Sequence, residues 1–199
     1  IEYVFLKKFR KDNLHIEIEG EEILNEIANK RKPVIFVSGH FANFEFMSME
    51  ITRKKINLAT IYRPLNNFFL NPYMEYLRKK YVCRNQIKKG RIGVKEIIEY
   101  INNNNSIALM IDQRVTEGEK INFFNHKAFT TTLPGHLSLK YNLDIVPIFI
   151  ERIENSFFKM KVYKPIRSNE SKSKFYISLK LNQILEGMIM KNPNQWIWT

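Results

Sequence analysis

Residues 33–50 constrain the fold of this chain more than any other stretch. They begin with an unbroken apolar run, 34–37, and pass through a short polar turn into a segment where Phe44, Met47 and Ile51 recur at helical spacing. A short apolar run is typical of a buried strand, and a spacing of three to four residues is typical of an amphipathic helix. The stretch therefore predicts a buried strand, a tight turn and a helix.

Two polar side chains, His40 and Glu45, lie where this turn passes into the helix. Positions five apart on a regular helix differ by roughly 140° in azimuth, so the two side chains can meet only if His40 precedes the helix. With Gly39 permitting an unusual backbone angle, we expect the imidazole to fold back over the first helical turn and contact the Glu45 carboxylate. The carboxylate would fix the ring tautomer and leave the other ring nitrogen to accept a proton from a hydroxyl.

This spacing has an alternative interpretation, in which His40 is a surface histidine and Glu45 a solvated helix-face residue, because short motifs of this kind also arise by chance. The position of the pair favours the catalytic interpretation. It follows a buried strand directly, and open α/β sheets place their sites at the carboxyl ends of their strands.

The remainder of the chain alternates predicted strands with predicted helices. The strands are expected over 16–19, 34–37, 56–62, 106–111, 144–150 and 157–163, and the helices over 21–32, after His40, and over 72–81, 90–102, 134–141 and 174–191. The stretch 118–132 is expected to be a loop. This alternation predicts an α/β protein with a single layered domain, in which a mostly parallel central sheet is flanked by helices.

Polar residues follow three of the predicted strands at their carboxyl ends. His40 and Glu45 follow the first, Arg63 the second and Asp112 the third. Because the carboxyl ends of parallel strands meet at one edge of a sheet, these residues can form a shared cleft.

Composition limits the class of protein. A chain of 199 residues, 44% of them hydrophobic, suits one globular domain with a substantial core. Its one cysteine, Cys83, excludes an intrachain disulfide and a cysteine-based metal cluster, and we interpret it as a structural thiol. No apolar run reaches the ~20 residues that a membrane-spanning helix needs.

The formal net charge of +12 predicts an anionic partner. Nucleic acid, anionic lipid and an acidic carrier protein all qualify by charge alone. The sequence contains no zinc-ligand spacing, RNA-binding strand motif or helix-turn-helix pattern, so nothing but charge supports a nucleic-acid partner and we expect none.

Several motifs, in their order along the chain, resemble those of the bacterial lipid A late acyltransferases of the lauroyl/myristoyl type. That family belongs to the wider glycerolipid acyltransferase superfamily, whose hallmark is His-x4-Asp/Glu. The motifs are Ser-Gly-His-Phe-Ala-Asn-Phe-Glu over 38–45, Tyr-Arg-Pro-Leu-Asn-Asn over 62–67, Asp112-Gln113, Thr-Thr-Thr-x-Pro-Gly over 130–135, Val-Pro-Ile-Phe over 146–149 and Asn-Pro-x-Gln-Trp-Ile-Trp over 192–198.

The resemblance implies transfer of a fatty acyl chain from acyl carrier protein, or in some cases acyl-CoA, to a hydroxyl of a lipid A precursor. It implies no cofactor and no metal, and it places the protein at an anionic membrane surface, the cytoplasmic face of the bacterial inner membrane. Members of the family usually carry an N-terminal membrane helix and a basic C-terminal end. Both are missing from residues 1–199, which we expect to form the acyltransferase domain alone.

The resemblance also assigns roles to residues. His40 is expected to act as general base and Glu45 to orient it. Arg63 would stabilise the developing oxyanion or bind a substrate phosphate, although an ion pair at a strand end explains it too. Asp112 is expected to orient Arg63 or Arg114, or to brace its loop. The full substrate-binding set is Arg63, Asn66, Asp112, Gln113, Thr131 and Thr132, where helix capping explains the two threonines equally well.

Because Cys83 lies outside every motif and no Ser-His pair is evident, we expect the acyl chain to pass directly from donor to acceptor without an acyl-enzyme intermediate. Ser38 is a weaker rival candidate for a nucleophile. The aromatic and Met residues near these motifs would line an acyl groove or pack in the core; they are Phe41, Phe44, Met47, Phe68 and Phe69. Two other functions remain open. One is a glycerophospholipid-type acyltransferase with the same His/Glu pair, and the other is a non-catalytic basic domain that binds lipid.

Overall fold

The computed structural model describes residues 2–12, 14–116, 118–170 and 172–197. Its strands are β1 (Ile16–Glu19), β2 (Ile35–Ser38), β3 (Leu58–Tyr62), β4 (Asn85–Lys88), β5 (Ser106–Met110), β6 (Glu119–Phe123), β7 (His126–Thr130), β8 (Ile145–Glu154) and β9 (Phe157–Val162). Its helices are α1 (Leu6–Lys11), α2 (Glu21–Lys30), α3 (Glu45–Arg53), α4 (Leu70–Leu77), α5 (Arg91–Asn102), α6 (Leu133–Tyr141) and α7 (Lys174–Lys191). Short 3₁₀ turns cover Glu2–Phe5 and Pro193–Gln195, and a π-helical turn, Arg78–Val82, continues α4.

Seven strands form one sheet in the order β1-β9-β8-β2-β5-β3-β4. Neighbouring strands are parallel except β8 and β9, which pair antiparallel. All four residues of the central strand β2 are buried, as expected when helices cover both faces of a parallel sheet. The predicted α/β fold with a mostly parallel sheet is confirmed.

The alternation of side chains along β2 divides the core into two layers. Phe36 points to one face, where it packs with residues of α1, α2 and α3. Ile35 and Val37 point to the other face, which α5, α6 and α7 cover. The sheet is therefore enclosed between two helical layers, so a site is expected at the edge formed by the ends of its strands.

Helix α7 has the bounds that the sequence predicted, Lys174–Lys191. Its buried residues Ile177, Leu181, Leu185 and Met188 recur every three or four positions, so one face packs on the sheet. In the part of the chain that the structure describes, no helix has both the length and the apolarity to cross a bilayer.

The predicted loop over 118–132 is wrong, because β6 and β7 form an antiparallel hairpin there. Its turn residues Phe124 and Asn125 both have positive φ, at 47° and 61°. A two-residue turn of this kind usually contains Asn-Gly or Asp-Gly, and this sequence has neither pair. The edge strand β4 was also not predicted, since Ile87 is its one buried residue and the apolar pattern is too short to recognise.

Helix α4 differs from its prediction in what it exposes. The helical spacing of Tyr73, Tyr76 and Leu77 predicts that all three point inward, but Leu77 alone of these three is buried. Tyr73 and Tyr76 are 56% and 52% exposed, so this helix presents aromatic rings to solvent.

Candidate active site

The carboxyl ends of β2, β5 and β3 lie side by side at one edge of the sheet, because the three strands are parallel neighbours. His40 follows β2, Asp112 follows β5 and Arg63 follows β3. The structure thus brings these three residues to one edge, as the sequence predicted.

The turn between β2 and α3 presents His40 five residues before the first residue of the helix. The unusual backbone angle in this turn belongs to Ala42, whose φ is 43°, and not to Gly39 as we expected. Gly39 is needed for space instead, since a Cβ there would lie 2.7 Å from the Phe41 ring. The backbone N–H of Phe41 donates to the Gly39 carbonyl over 2.9 Å, which closes the turn.

The His40 ring is held by Asp112. Its Nδ1 lies 2.8 Å from Asp112 Oδ1, and the backbone N–H of His40 donates to Asp112 Oδ2 over 2.7 Å. Burial of this carboxyl, whose side chain is 1% exposed, favours a raised pKa, but the hydrogen bonds and charge of His40 outweigh burial and hold the pKa of Asp112 below its usual value. Asp112 is therefore a carboxylate, so the proton of a neutral His40 ring must sit on Nδ1 and Nε2 carries the lone pair.

The predicted contact between Glu45 and the His40 ring is not formed in the structure. The Glu45 carboxylate accepts a hydrogen bond from Arg78 Nε over 2.7 Å and another from the Tyr3 hydroxyl. Glu45 is the first residue of α3, and its side chain faces the end of α4 rather than the turn before it. Asp112 takes the position at His40 that the sequence had given to Glu45.

Arg78, Glu45 and Tyr3 form a partly buried polar cluster that sequence reasoning missed. The Arg78 Nη2 group also donates to the Tyr3 hydroxyl over 3.1 Å. Burial favours a lower pKa for the Arg78 guanidinium, but the Glu45 charge and the Tyr3 hydroxyl raise that pKa overall. Burial, followed by the Glu45 charge, raises the pKa of Tyr3 as well. Arg78 is the first residue of the basic run 78–80, and such runs are usually solvated helix ends. The sequence therefore gives no sign that Arg78 is partly buried.

A cavity of about 280 Å3 lies against this edge of the sheet. Its wall includes five of the predicted site residues, namely His40, Glu45, Arg63, Gln113 and Thr131. Apolar side chains form much of the remaining wall; they include Phe44, Met47, Ile61, Leu109 and Leu133. The cavity therefore combines a histidine and two arginines with a surface that suits a hydrocarbon chain.

The other predicted site residues lie outside this wall. Asp112 stands behind His40 and contacts Trp196 rather than Arg63 or Arg114, so the expected orienting role toward an arginine is wrong. Asn66 is exposed on the loop after β3. Thr132 precedes α6 without a capping hydrogen bond from its side chain, and the Leu133 N–H donates to Thr131 Oγ1 over 3.3 Å instead.

The candidate groove residues divide between cavity, core and surface. Phe44 and Met47 line the cavity, and the Phe44 ring stands edge-on to His40 with centroids 4.8 Å apart. Phe41 is fully buried in the core. Phe68 and Phe69 are exposed on the surface.

The C-terminal motif is attached to the His40 turn. The Ala42 N–H donates to the Gln195 carbonyl and the Ile197 N–H to the His40 carbonyl, each over 2.8 Å. Trp196 Nε1 donates to Asp112 Oδ2 over 3.0 Å. This segment thus supports both members of the His40–Asp112 pair. Trp198, the last residue of the motif, lies outside the described residues.

Cys83 is buried and its Sγ donates to the Leu58 carbonyl over 3.1 Å. Burial raises the pKa of its thiol to about 11. Among the residues that the structure describes, no group of three or more His, Cys, Asp or Glu side chains could hold a metal ion.

Comparison with known proteins identifies the family to which this chain belongs. A family model described as bacterial lipid A biosynthesis acyltransferase matches residues 1–199. No curated protein matches the chain significantly. Among solved structures, the chain is similar to the crystal structure of PlsC, the 1-acyl-sn-glycerophosphate (LPA) acyltransferase from Thermotoga maritima. The TM-score is 0.56 and the identity 13%, over 98% of this chain and 81% of that chain. At this identity the similarity establishes a shared fold.

Proposed function

This chain belongs to the family of bacterial lipid A biosynthesis acyltransferases, and from that premise we propose that it transfers a fatty acyl chain from the thioester of acyl carrier protein to a hydroxyl of a lipid A precursor. The observation that carries the proposal is His40 at the wall of a largely apolar cavity, with Asp112 bound to its ring from outside that wall. The proposed place of reaction is the cytoplasmic face of the bacterial inner membrane.

In the proposed reaction, His40 Nε2 takes the proton of the acceptor hydroxyl while the hydroxyl oxygen attacks the thioester carbonyl. The Asp112 carboxylate keeps the Nδ1 proton in place and stabilises the imidazolium that forms. When the tetrahedral intermediate collapses, the carbon–sulfur bond breaks and the imidazolium returns the proton to the sulfur. The products are an ester of the acceptor and the free thiol of the carrier.

The negative charge on the carbonyl oxygen needs a fixed positive partner. Arg78 is suited to this role because Glu45 and Tyr3 hold its guanidinium at the cavity wall. Glu45 then contributes to catalysis by positioning Arg78. Arg63 is exposed at the same cavity, so we assign it to a phosphate of the acceptor.

The remaining cavity residues bind substrate in this proposal. Phe44 and Met47 contact the acyl chain, and Gln113 and Thr131 offer hydrogen bonds to the polar part of the acceptor. The net charge of +12 favours both partners, since acyl carrier proteins are acidic and the acceptor is phosphorylated.

Direct transfer is supported by the surroundings of the two rival nucleophiles. Ser38 is 2% exposed, and its Oγ donates to the Gly39 carbonyl. Cys83 is buried with a raised thiol pKa. Neither residue lines the cavity that contains His40.

The test is release of free thiol from acyl–acyl carrier protein in the presence of a detergent-dispersed lipid A precursor. His40→Ala should lower turnover by about 10²–10⁴-fold, the usual contribution of a general base. His126→Ala, which removes an exposed histidine of the β6–β7 hairpin, is the matched control and should retain full turnover.

Three results would contradict the proposal. The first is turnover that His40→Ala leaves unchanged. The second is efficient acylation of 1-acyl-glycerophosphate in place of the lipid A precursor, which would identify a glycerophospholipid-type acyltransferase. The third is lipid binding without turnover of any donor, which would identify a non-catalytic lipid-binding domain.

A further inference from the structure

The segment that follows β3 presents a set of large apolar side chains to solvent. We call this set the aromatic face, and its exposed fractions are Leu65 37%, Phe68 83%, Phe69 91%, Leu70 46%, Tyr73 56% and Tyr76 52%. Single exposed apolar residues are ordinary, but six within a span of twelve positions form a patch of the kind that marks an interaction surface.

Polar side chains hold this segment in place. Asn67 Oδ1 accepts hydrogen bonds from the backbone N–H groups of Phe69 and Leu70, over 3.0 and 2.9 Å. Asn71 Oδ1 accepts from the Leu65 N–H over 2.8 Å, and Asn71 Nδ2 donates to Glu75 over 2.9 Å. The rings are therefore displayed from an organised loop and helix start.

The charges around the aromatic face are mostly positive. Residues 62–90 contain seven Lys and Arg side chains and one acid, Glu75. Glu75 accepts a hydrogen bond from the Tyr62 hydroxyl over 2.7 Å, which occupies it within the protein. Lys79, Lys80, Lys88 and Lys89 are exposed, and Lys80 Nζ stands 4.9 Å from the centre of the Tyr76 ring. Protruding aromatic rings among lysines are suited to an anionic lipid surface, where rings enter the acyl boundary and ammonium groups reach the phosphates.

The aromatic face also begins next to the proposed active site. Tyr62, Arg63 and Lys89 line the cavity that contains His40, and Leu65 lies two residues beyond Arg63. A bilayer that contacts this face would bring its lipids close to the residues that line the cavity.

From these observations, we propose that the aromatic face docks on the surface of an anionic phospholipid bilayer, with Phe68 and Phe69 inserted between the lipids. The lipid acceptor then reaches the cavity from the bilayer without crossing water, a consequence that rests on the proposed function. An acidic carrier protein would match the lysines, but two adjacent phenyl rings that are 83% and 91% exposed suit insertion between acyl chains better than contact with a highly charged protein surface, so the rings favour the bilayer.

The test is sedimentation of the protein with vesicles of phosphatidylcholine and phosphatidylglycerol, and with vesicles of phosphatidylcholine alone. The wild type should bind the anionic vesicles preferentially. Phe68→Ser with Phe69→Ser should weaken that binding by about tenfold or more, since two rings no longer leave water. The control is Leu14→Ser with Ile153→Ser, which removes two exposed apolar residues, 82% and 54% exposed, from the side of the sheet that carries β1 and β8.

Thiol release on detergent-dispersed acceptor separates this proposal from the proposed function. The Phe68→Ser, Phe69→Ser protein should keep its detergent turnover and lose turnover on acceptor embedded in vesicles. If the variant loses vesicle binding while the wild type turns over no acceptor at all, that result would support the docking surface and overturn the proposed function. Unchanged vesicle binding by the Phe68→Ser, Phe69→Ser protein would overturn the docking surface. So would a variant whose only change is a raised KM for acyl carrier protein, because this face would then bind the carrier.

Discussion

At the scale of single residues, the site depends on the two oxygens of Asp112. Oδ1 contacts the His40 ring, and Oδ2 accepts from the His40 backbone and from Trp196. One buried carboxylate therefore fixes the position of the histidine and the tautomer of its ring. The negative charge matters as much as the shape, because it also stabilises the protonated ring during the reaction.

Asp112→Asn separates shape from charge. The amide is the same size as the carboxyl and can still accept from the backbone and from Trp196, so the fold should survive. Turnover should fall by about 10²–10⁴-fold, because the amide NH2 group that then faces Nδ1 favours a proton on Nε2, and the neutral amide does not stabilise the imidazolium. Thiol release measures this, with Glu26→Gln on the exposed face of α2 as the control. A variant with more than half of the wild-type turnover would show that Asp112 has no part in catalysis.

Cys83 should be chemically inert in the folded protein. Its thiol is buried and burial raises its pKa to about 11, so little thiolate forms near neutral pH. A thiol reagent at mildly alkaline pH should label the protein only after denaturant is added. Rapid labelling of the native chain would contradict the packing around β3 and reopen an acyl-enzyme route.

The histidine, its position before the helix and the neighbouring strand ends could be predicted from local sequence. The partner of the histidine could not. His40 and Asp112 are 72 positions apart, and they meet because β2 pairs with β5 rather than with β3, which comes next in the chain. Glu45 is near His40 in sequence, but side-chain direction on α3 sends it to Arg78.

At the scale of elements, the turn between β2 and α3 is fixed from two sides. Close packing of Gly39 against Phe41 and Leu185 fixes its start. Backbone hydrogen bonds from Ala42 and Ile197 attach it to the C-terminal segment. The segment therefore acts on the site through the geometry of the turn as well as through Trp196.

Two glycine substitutions test this packing. Gly39→Ala should destabilise the protein by about 1–3 kcal/mol, because its Cβ would lie 2.7 Å from the Phe41 ring. Gly187→Ala, in α7 with open space around the new methyl group, should stabilise it by up to about 1 kcal/mol. Urea unfolding measures both changes in the free energy of unfolding. Equal effects from the two substitutions would refute the packing argument.

Elements with a strong apolar pattern could be predicted, as β2 and α7 show. The elements that escaped prediction are weak in local signal. Only Ile87 of β4 is buried, and the turn of the β6–β7 hairpin lacks glycine. These strands owe their existence to pairing and packing, which the local sequence does not show.

At the scale of the whole molecule, one edge of the sheet collects the functional features. The histidine, the two arginines and the cavity lie there, and the aromatic face extends from it. Parallel strand pairing accounts for the convergence of His40, Arg63 and Asp112, because the residues that follow parallel neighbouring strands lie at the same edge. Arg78 reaches this edge from the end of α4. The general fold and this edge were predictable from the alternation of strands and helices, whereas the strand order required the structure.

Stability against acid should depend on Asp112. Its pKa in the folded protein lies below the unfolded value of 3.8, so the folded state binds fewer protons than the unfolded state around that pH. The stabilisation is fully present above pH 3.8 and is lost as the pH falls through the folded value. The free energy of unfolding of the wild type should therefore exceed that of Asp112→Asn near neutral pH, and the gap should narrow below pH 3.8. A gap that stays constant across this range would contradict the lowered pKa.

The most direct test of the account is the tautomer of the His40 ring, measured by ¹⁵N NMR of histidine-labelled protein with His40→Ala to assign the signal. We expect a proton on Nδ1 and a free lone pair on Nε2 at a pH where the ring is neutral. We also expect Asp112→Asn to disturb this pattern and Glu45→Gln to leave it intact. A proton on Nε2 in the wild type, or a pattern that responds to Glu45→Gln and not to Asp112→Asn, would show that Asp112 does not prepare His40 as the base.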